Sequence, residues 1–340
     1  MIRRTNRRAA RQMIRQTNRR VARQKNRQNM GKNMQRQYLK RNNKVFSRVQ
    51  EIPRGRASEE ITEGCLVLEG GAWRGLYTQG ALDVLMENGI NFQTTIGVSA
   101  GAMSAIGYVA GQIGWCPRIN LTHRHDPSYC GVGAMRRDHG VTGFTYLFQT
   151  LMQGSEPIDQ ARFDDPARRL IAVATNIQTG EPAYFEKGSC DIFRAVQASA
   201  TVPYVSRPVV IRGNAYLDGG CSVKIPYNWA VEQKFQKIMV IRTQDRTYRR
   251  KVKKAGAADR LLYRKYPALV HAMEQASIDY NDLLRRMDRE MEIGRCFVLA
   301  PSRPVGITRF EGDVEKIGAL YELGRSDMQE QLPALQAYLG

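Results

Sequence analysis

The sequence predicts an α/β fold in which a mostly parallel sheet is covered by helices. From about residue 60 onwards, short apolar runs alternate with helical stretches, which is typical of this class. Glycine-rich turns follow two of the apolar runs, where a strand should end and a helix begin. With 340 residues, the chain is long enough to build one large domain of this kind around a substantial core.

Six runs have the length and apolar composition of buried strands: 65–69, 94–98, 170–176, 209–211, 237–242 and 295–300. Helices are predicted at 75–88, 100–110, 261–291 and 313–338, the first of them ended by Asn88 and Gly89. Residues 111–165 show no clear periodicity. We expect them to form an irregular excursion over the edge of the sheet that faces the substrate.

The net charge of +20 is concentrated at the N-terminus, where residues 1–50 contain 17 Lys and Arg and no Asp or Glu. The remainder of the chain is nearly neutral. Residues 1–12 are almost repeated at 13–24, and we predict a disordered basic arm over 1–55. Its charge would also suit peripheral contact with an anionic membrane through residues 1–50. Nucleic acid is not favoured as a partner, because only Tyr38 and Phe46 could stack on bases.

No run of eighteen apolar residues is present, so no transmembrane helix is predicted. The basic N-terminus lacks the apolar stretch of a secretory signal. Six cysteines are scattered without C-x-x-C spacing, which favours free thiols over a metal site or a disulfide framework. The predicted location is the cytoplasm. Peripheral contact with the inner surface of the membrane would be compatible with it.

Ser99 is the candidate nucleophile, in the segment Gly-Val-Ser-Ala-Gly at 97–101. A serine on a tight turn between a strand and a helix is exposed to substrate, and its neighbouring glycines permit strained backbone angles. The following helix would direct its positive end towards an oxyanion formed there. An ordinary strand-to-helix turn that happens to contain a serine is the alternative, and the motif alone does not decide between the two.

Residues 70–75, Gly-Gly-Ala-Trp-Arg-Gly, provide the second glycine-rich turn. Successive small residues allow several backbone N–H groups to converge on one oxyanion, as acyl transfer requires. Arg74 would add positive charge or anchor the loop. A nucleotide P-loop is excluded by the missing Gly-Lys-Ser/Thr ending, and a dinucleotide fingerprint by the alanine at position 72.

Asp218 is the better candidate for the base, although an Asp before two glycines is also common in simple turns. Direct pairing requires its carboxylate within about 3 Å of the Ser99 hydroxyl in a desolvated site. Chain order alone would also allow Ser99, Asp218 and His271 to form a triad, but His271 lies in a helical run. The other histidines, His123, His125 and His139, lie in the irregular segment, where a structural role is expected.

Together and in this order, these elements resemble the patatin-like phospholipase family. The glycine-rich oxyanion motif corresponds to Gly70, Gly71, Ala72, Arg74 and Gly75, and the G-x-S-x-G motif to Gly97, Ser99 and Gly101. The D-G-[GA] motif corresponds to Asp218, Gly219 and Gly220, and residues 198–203 look like the A-S-x-A-x-P segment that precedes it. The resemblance covers about residues 64–245. One departure is Ala72, which replaces the third glycine of the oxyanion motif.

The resemblance implies a three-layer α/β/α fold, with a catalytic domain at 60–245. Residues 246–340 would be a helical and β extension packed on it, similar to that of a bacterial branch of the family. It also implies a lipid acyl hydrolase with Ser99 as nucleophile, Asp218 as general base and the amides of Gly70, Gly71 and Ala72 as oxyanion hole. The substrate would be a lipid ester, and no metal or other cofactor is required. The alternatives are an inactive lipid- or membrane-binding relative and a Ser-Asp-His esterase of another fold.

Overall fold

The computed structural model describes residues 44–252 and 254–340. Residues Val45–Gly340 form one compact unit. The duplicated segment at 1–24, and with it most of the predicted membrane-binding arm, lies outside the described residues. Residues 45–55 differ from the prediction of a disordered arm, because Phe46 and Ile52 are buried in an apolar cluster with Ile317 and Tyr321.

Eight strands form a mixed sheet in the order β10-β9-β2-β3-β5-β8-β7, and β6 also pairs with β5. The strands from β10 to β5 run parallel, whereas β6, β8 and β7 are antiparallel to their neighbours. A separate two-stranded ribbon joins β1 and β4. The strand bounds are β1 Gly55–Arg56, β2 Thr62–Leu68, β3 Phe92–Val98, β4 Gln112–Ile113, β5 Arg169–Asn176, β6 Pro182–Glu186, β7 Val209–Ile211, β8 Asn214–Asp218, β9 Ile238–Ile241 and β10 Phe297–Leu299.

Helices alternate with these strands along the chain. They are α1 Gly75–Glu87, α2 Ala100–Val109, α3 Trp115–His123, α4 Val132–Asp138, α5 Gln160–Asp164, α6 Ile192–Ser199, α7 Tyr227–Glu232, α8 Ala257–Leu262, α9 Pro267–Glu292 and α10 Val314–Leu339, with a π-helix at Tyr146–Ser155. Short 3₁₀ turns lie at Val49–Glu51, Ala72–Arg74 and Gly219–Cys221.

The central strands β2, β3 and β5 are buried over most of their length, because helices cover both faces of the sheet. In β2, Leu66 and Leu68 face a cluster that includes residues of α1, α2 and α10. Cys65 and Val67 face the opposite cluster, which includes residues of α7 and α9. The result is the three-layer α/β/α arrangement with a mostly parallel sheet.

The six predicted strands are all present, and the four predicted helices are confirmed to within a few residues at most ends. The prediction for 111–165 is wrong in one respect, because helices α3, α4 and α5 and the π-helix occupy most of it. The sequence did not indicate β6, β8 or α6. Strand β8 has five residues and ends at Asp218, directly before two glycines. Because these glycines predict a turn, the strand before them was not recognised.

The strand register brings two distant chain segments together at β5. Strand β6 pairs with β5 from Ile171 to Thr175, so β3 and β8 share the other edge of β5. Val98, at the end of β3, pairs with Val173, and Asp218, at the end of β8, pairs with Ala174. Strands β3 and β8 therefore meet end to end.

Candidate active site

Ser99 lies on a sharp turn between β3 and α2. Its backbone has φ of +54° and ψ of −120°, a conformation that residues with a Cβ rarely adopt. The flanking glycines are needed for space. A Cβ on Gly97 would lie 2.5 Å from the nitrogen of Ala102, and a Cβ on Gly101 would lie 2.6 Å from the carbonyl oxygen of Leu68. The turn therefore holds the serine side chain out from the sheet.

The Ser99 hydroxyl donates a hydrogen bond of 2.7 Å to Oδ2 of Asp218. The backbone N–H of Gly220 donates to the other carboxylate oxygen, Oδ1, at 2.7 Å. Gly219 fits only without a side chain, since a Cβ there would lie 2.2 Å from the carbonyl oxygen of Val173. The structure thus brings the two predicted residues into direct contact.

Burial raises the pKa of the Asp218 carboxyl above its ordinary value. The hydrogen bonds from Ser99 and Gly220 and the nearby charge of Lys224 oppose this shift without cancelling it. A carboxylate with a raised pKa is a stronger base, and a group that accepts a hydroxyl proton needs this property.

Residues 198–203, noted in the sequence only by resemblance, hold both members of this pair. Ser199 is fully buried; its hydroxyl donates to the carbonyl of Val173 and accepts a 2.8 Å hydrogen bond from the N–H of Ser99. The carbonyl of Thr201 accepts from the N–H of Asp218 at 2.9 Å. One short segment therefore positions the backbone of Ser99 and of Asp218.

The glycine-rich loop lies beside Ser99, and its three predicted amides differ in their hydrogen bonding. The N–H of Gly70 donates to the carbonyl of Lys224 at 3.3 Å. Within residues 44–252 and 254–340, no acceptor pairs with the N–H of Gly71 or of Ala72. Both residues line a cavity that Ser99 also lines. Of the three predicted amides, those of Gly71 and Ala72 are therefore the two that are free to receive an oxyanion.

Ala72 adopts φ of +50°, in the left-handed region that glycine occupies without strain. The residues that follow Ala72 hold the loop in place. Arg74 is half-buried, and a Cβ on Gly75, at the start of α1, would lie 3.0 Å from the Cβ of Ala100. The unusual residue of the motif therefore keeps the backbone shape that the motif requires.

Glu69 is a buried residue of the site that sequence reasoning missed. One of its carboxylate oxygens accepts from the hydroxyl of Tyr280 at 2.8 Å, and the other from the N–H of Thr243 at 2.6 Å. These bonds link the residue before the glycine-rich loop to the stretch that follows β9 and to α9. Its position directly before the first glycine was the signal that could have identified it.

Ser99 lines two cavities. The first, about 90 Å³, is walled mainly by apolar side chains: Trp73, Leu76, Met103, Tyr129, Val141, Ala200, Val202 and Phe310. The second, about 240 Å³, includes Asp218 and is walled mainly by polar and charged side chains. Residues of the 111–165 segment line the first cavity and so lie near Ser99; that this segment faces the substrate stays a prediction.

None of the four histidines, all of which lie in the described part of the chain, lines either cavity beside Ser99. His271 lines a different cavity on α9. His123 lies near Asp126, and its ring contacts those of Tyr129 and Tyr146. The chain order that allowed a Ser-Asp-His triad is therefore not realised in space.

In the part of the chain that the structure describes, no group of three or more His, Cys, Asp or Glu could hold a metal ion. None of the described helices is both long enough and apolar enough to cross a bilayer. All six cysteines are free.

Comparison with known proteins gives two family matches. Residues 66–230 match the family described as patatin-like phospholipase, and residues 266–340 match a domain of unknown function (DUF6363). The chain is 25% identical over 271 residues to the uncharacterised protein YjjU of Escherichia coli (strain K12), a match that covers 76% of this chain and 74% of that protein.

Two further similarities are more distant. The chain is 28% identical over 185 residues to a protein named as a probable lipid hydrolase, from Invertebrate iridescent virus 6. That match covers 49% of this chain and 63% of the viral protein. Among solved structures, VipD from Legionella pneumophila is similar with a TM-score of 0.42 and 12% identity, over 82% of this chain and 68% of that one.

Proposed function

Since this chain belongs to the patatin-like phospholipase family through residues 66–230, we propose that it is a serine lipid acyl hydrolase that cleaves carboxylic ester bonds of lipids. The family match and the viral relative named as a probable lipid hydrolase support hydrolysis of lipids. The observation that carries the mechanism is the 2.7 Å hydrogen bond from Ser99 to Asp218.

In the proposed first half-reaction, the Asp218 carboxylate accepts the hydroxyl proton as the Ser99 oxygen attacks the ester carbonyl. The negative charge that develops on the carbonyl oxygen is stabilised by the free amides of Gly71 and Ala72. We leave Gly70 out of the predicted oxyanion hole, because its amide already donates to Lys224. Protonated Asp218 then gives its proton to the departing alcohol, and an acyl-serine remains.

In the second half-reaction, Asp218 removes a proton from water, and the hydroxide oxygen attacks the acyl-serine carbonyl. The same two amides stabilise this second tetrahedral intermediate. When it collapses, the Ser99 oxygen leaves and recovers its proton from Asp218. The products are a free fatty acid and the intact enzyme, and no cofactor takes part in any of these steps.

The test uses the full-length protein, its Ser99→Ala variant and the control Ser155→Ala, which alters an exposed serine of the π-helix. We expect hydrolysis of a panel of phospholipids, lysophospholipids and acylglycerols by the native protein and the control, and none by Ser99→Ala. A fluorophosphonate probe should label the native protein and the control, but not Ser99→Ala. A folded native protein that neither hydrolyses any ester nor reacts with the probe would instead indicate the non-catalytic lipid-binding alternative.

A further inference from the structure

The two free amides of the proposed oxyanion hole are held in place in different ways. The peptide that carries the Ala72 N–H is fixed within the loop, because the carbonyl of Gly71 accepts a 3.1 Å hydrogen bond from the N–H of Arg74. In the peptide that carries the Gly71 N–H, the carbonyl of Gly70 accepts from the hydroxyl of Thr243 at 3.2 Å. This threonine lies 173 positions further along the chain. The direction of the Gly71 N–H therefore depends on a contact between distant segments.

The planarity of the peptide bond makes this contact a constraint on the amide. The bond between Gly70 and Gly71 is trans, so its N–H points opposite to its C=O. Because the carbonyl is directed at Thr243, the N–H points away from Thr243, and Gly71 lines the cavity that Ser99 also lines. A peptide between two glycines can turn over at little cost, since glycine accepts both signs of φ. The Thr243 hydroxyl favours one of these two orientations.

Thr243 lies directly against the glycine-rich loop. Its side chain is fully buried, and a Cβ on Gly71 would lie 2.7 Å from its Oγ1. Any side chain at position 71 would therefore displace the threonine or the loop. Glycine is needed at this position for the close approach of Thr243, whereas its φ of −174° is open to any residue.

A buried carboxylate holds Thr243 in turn. The N–H of Thr243 donates to Oε2 of Glu69 at 2.6 Å, and the hydroxyl of Tyr280 donates to Oε1 at 2.8 Å. Glu69 and Tyr280 are each 3% exposed, so bulk water does not compete for these hydrogen bonds. Burial and the nearby charge of Glu69 raise the pKa of the Tyr280 hydroxyl, which therefore stays protonated and remains a donor.

Tyr280 belongs to helix α9, in the region 266–340 that matches the domain of unknown function. Its ring packs edge-on against that of Tyr248, with 6.4 Å between the ring centroids, and the guanidinium of Arg250 lies 5.8 Å from its centroid. These contacts hold the ring, and its hydroxyl is directed at Glu69. The C-terminal region therefore contributes a side chain that is connected to the glycine-rich loop through one carboxylate.

We propose that Thr243, Glu69 and Tyr280 form a connected set of positioning residues for the oxyanion hole. They act through the peptide between Gly70 and Gly71, and hold its N–H in the direction that stabilises the oxyanion. The inference rests on the proposed hydrolase function and gives the C-terminal region a part in it through Tyr280. Because this amide stabilises charge that develops only in the transition state, its misorientation should lower kcat and leave KM largely unchanged.

The first experiment removes the Thr243 hydroxyl in Thr243→Val, which keeps the shape of the side chain. We expect kcat for an ester that the native protein hydrolyses to fall about 10- to 100-fold, with KM changed by less than about twofold. Thr243→Ser restores the hydroxyl and should recover most of the lost activity. The control is Thr150→Val, which alters an exposed threonine of the π-helix. Native activity in Thr243→Val, or a loss caused mainly by a higher KM, would overturn the proposal.

The second experiment distinguishes positioning from a general loss of structure by comparing two inhibitors. A trifluoromethyl ketone that carries the acyl chain of the substrate forms a tetrahedral oxyanion on Ser99, whereas the ether analogue of the ester resembles only the ground state. We expect Thr243→Val and Tyr280→Phe to weaken binding of the ketone about tenfold or more, and binding of the ether by less than about twofold. The control is Tyr184→Phe, which alters a tyrosine that is 40% exposed. Equal losses for both inhibitors would indicate a structural defect and would overturn the proposal.

The two experiments also separate the positioning role from the enzyme function. If the native protein neither hydrolyses an ester nor binds the ketone more tightly than the ether, the hydrolase function fails, and the positioning role fails with it. If the native protein is active and prefers the ketone, but Thr243→Val and Tyr280→Phe match it in both respects, the function stands and the positioning role fails.

Discussion

The two cavities beside Ser99, one apolar and one cationic, share Ala72, Ser99, Val202 and Arg309 in their walls but differ in chemistry and in origin. The walls of the apolar cavity come mostly from residues 72–142, whereas those of the cationic cavity come largely from residues 202–309. The first is built around helices that follow the two glycine-rich turns, and the second around the stretches that follow Asp218 and β9. If the protein is the proposed hydrolase, separate regions of the chain would contact the two ends of the ester bound at Ser99.

We expect the largest effect from a substitution that abolishes the proton transfer from Ser99 and leaves both cavities intact. In Asp218→Asn, the amide cannot accept the Ser99 proton, so we expect kcat to fall about 10³-fold for every ester. The amide oxygen can still accept the hydrogen bond from Gly220, so the thermal unfolding midpoint should change little. Steady-state kinetics and calorimetry on the purified variant check both expectations. Retention of more than about a tenth of native turnover would rule out Asp218 as the base.

We expect the next largest effect from a substitution in the wall of the apolar cavity. In Val141→Trp, the larger side chain fills part of the apolar cavity, where the acyl chain of the proposed substrate would lie, so kcat/KM for long-chain esters should fall about 10- to 100-fold relative to short-chain esters. A series of acyl esters of increasing chain length measures this change. The control is Val210→Trp, which alters a valine of β7 that is 54% exposed. An unchanged chain-length profile in Val141→Trp would mean that the acyl chain binds elsewhere.

We expect a smaller effect when a rise in pH removes the positive charge of Lys224 from the cationic cavity. Because the pKa of Lys224 is lowered to about 8, its charge is present below that pH and is lost as the pH rises through it. The groups that act on it are Asp218, Cys221, Arg250 and Arg309; burial raises the pKa of Cys221 to about 12, so this thiol stays neutral. For the proposed lipid hydrolase, we expect KM for an anionic phospholipid to rise by up to about tenfold between pH 7 and pH 9, because the cavity beside Ser99 then loses one positive charge.

The same pH series on a neutral ester provides the comparison, because its KM should show no such step near pH 8. In Lys224→Arg, the guanidinium stays charged, and the step should disappear. A step of equal size for both esters, or one that persists in Lys224→Arg, would assign the titration to another group.

The smallest effect concerns Ala72, which lies at the junction of the two cavities. Its φ of +50° is strained for a residue with a Cβ, so Ala72→Gly should raise the free energy of unfolding by up to about 1 kcal/mol. Ala167→Gly is the control, because this exposed alanine is not among the residues with positive φ and should gain nothing. Urea unfolding of both variants measures the difference. A loss of stability in Ala72→Gly would show that the alanine methyl makes contacts worth more than the strain.

Much of the fold could be predicted because the signals are local. Apolar runs in β2, β3 and β5 mark strands buried on both faces, and the pair Asn88 and Gly89 marks the end of α1. Strand β6 escaped prediction because its residues are only partly buried and its pattern is weak. Helices α3, α4 and α5 escaped prediction because they are short and mix polar with apolar residues, which obscures the 3.6-residue period.

In the candidate site, too, the residues that could be predicted carry local signals, whereas the others depend on contacts between distant residues. Ser99, Gly71 and Asp218 lie in short glycine-containing motifs, and such a motif can be found in a single sequence. Gly70 was assigned with them because a motif does not reveal which amides are already bonded, and the partner of its amide, Lys224, lies 154 positions further along the chain.

By itself, the sequence determined the strand-to-helix turns, the identity of the candidate nucleophile and base, and the layered α/β class, because each depends on residues close together in the chain. The tertiary structure decided that β3 and β8 meet on one edge of β5, that Gly71 and Ala72 keep free amides, and that Lys224, Arg250 and Arg309 surround one cavity. In the sequence, an arginine or lysine of this cavity cannot be distinguished from one on the solvated surface. Only the packing of distant segments brings such charges together.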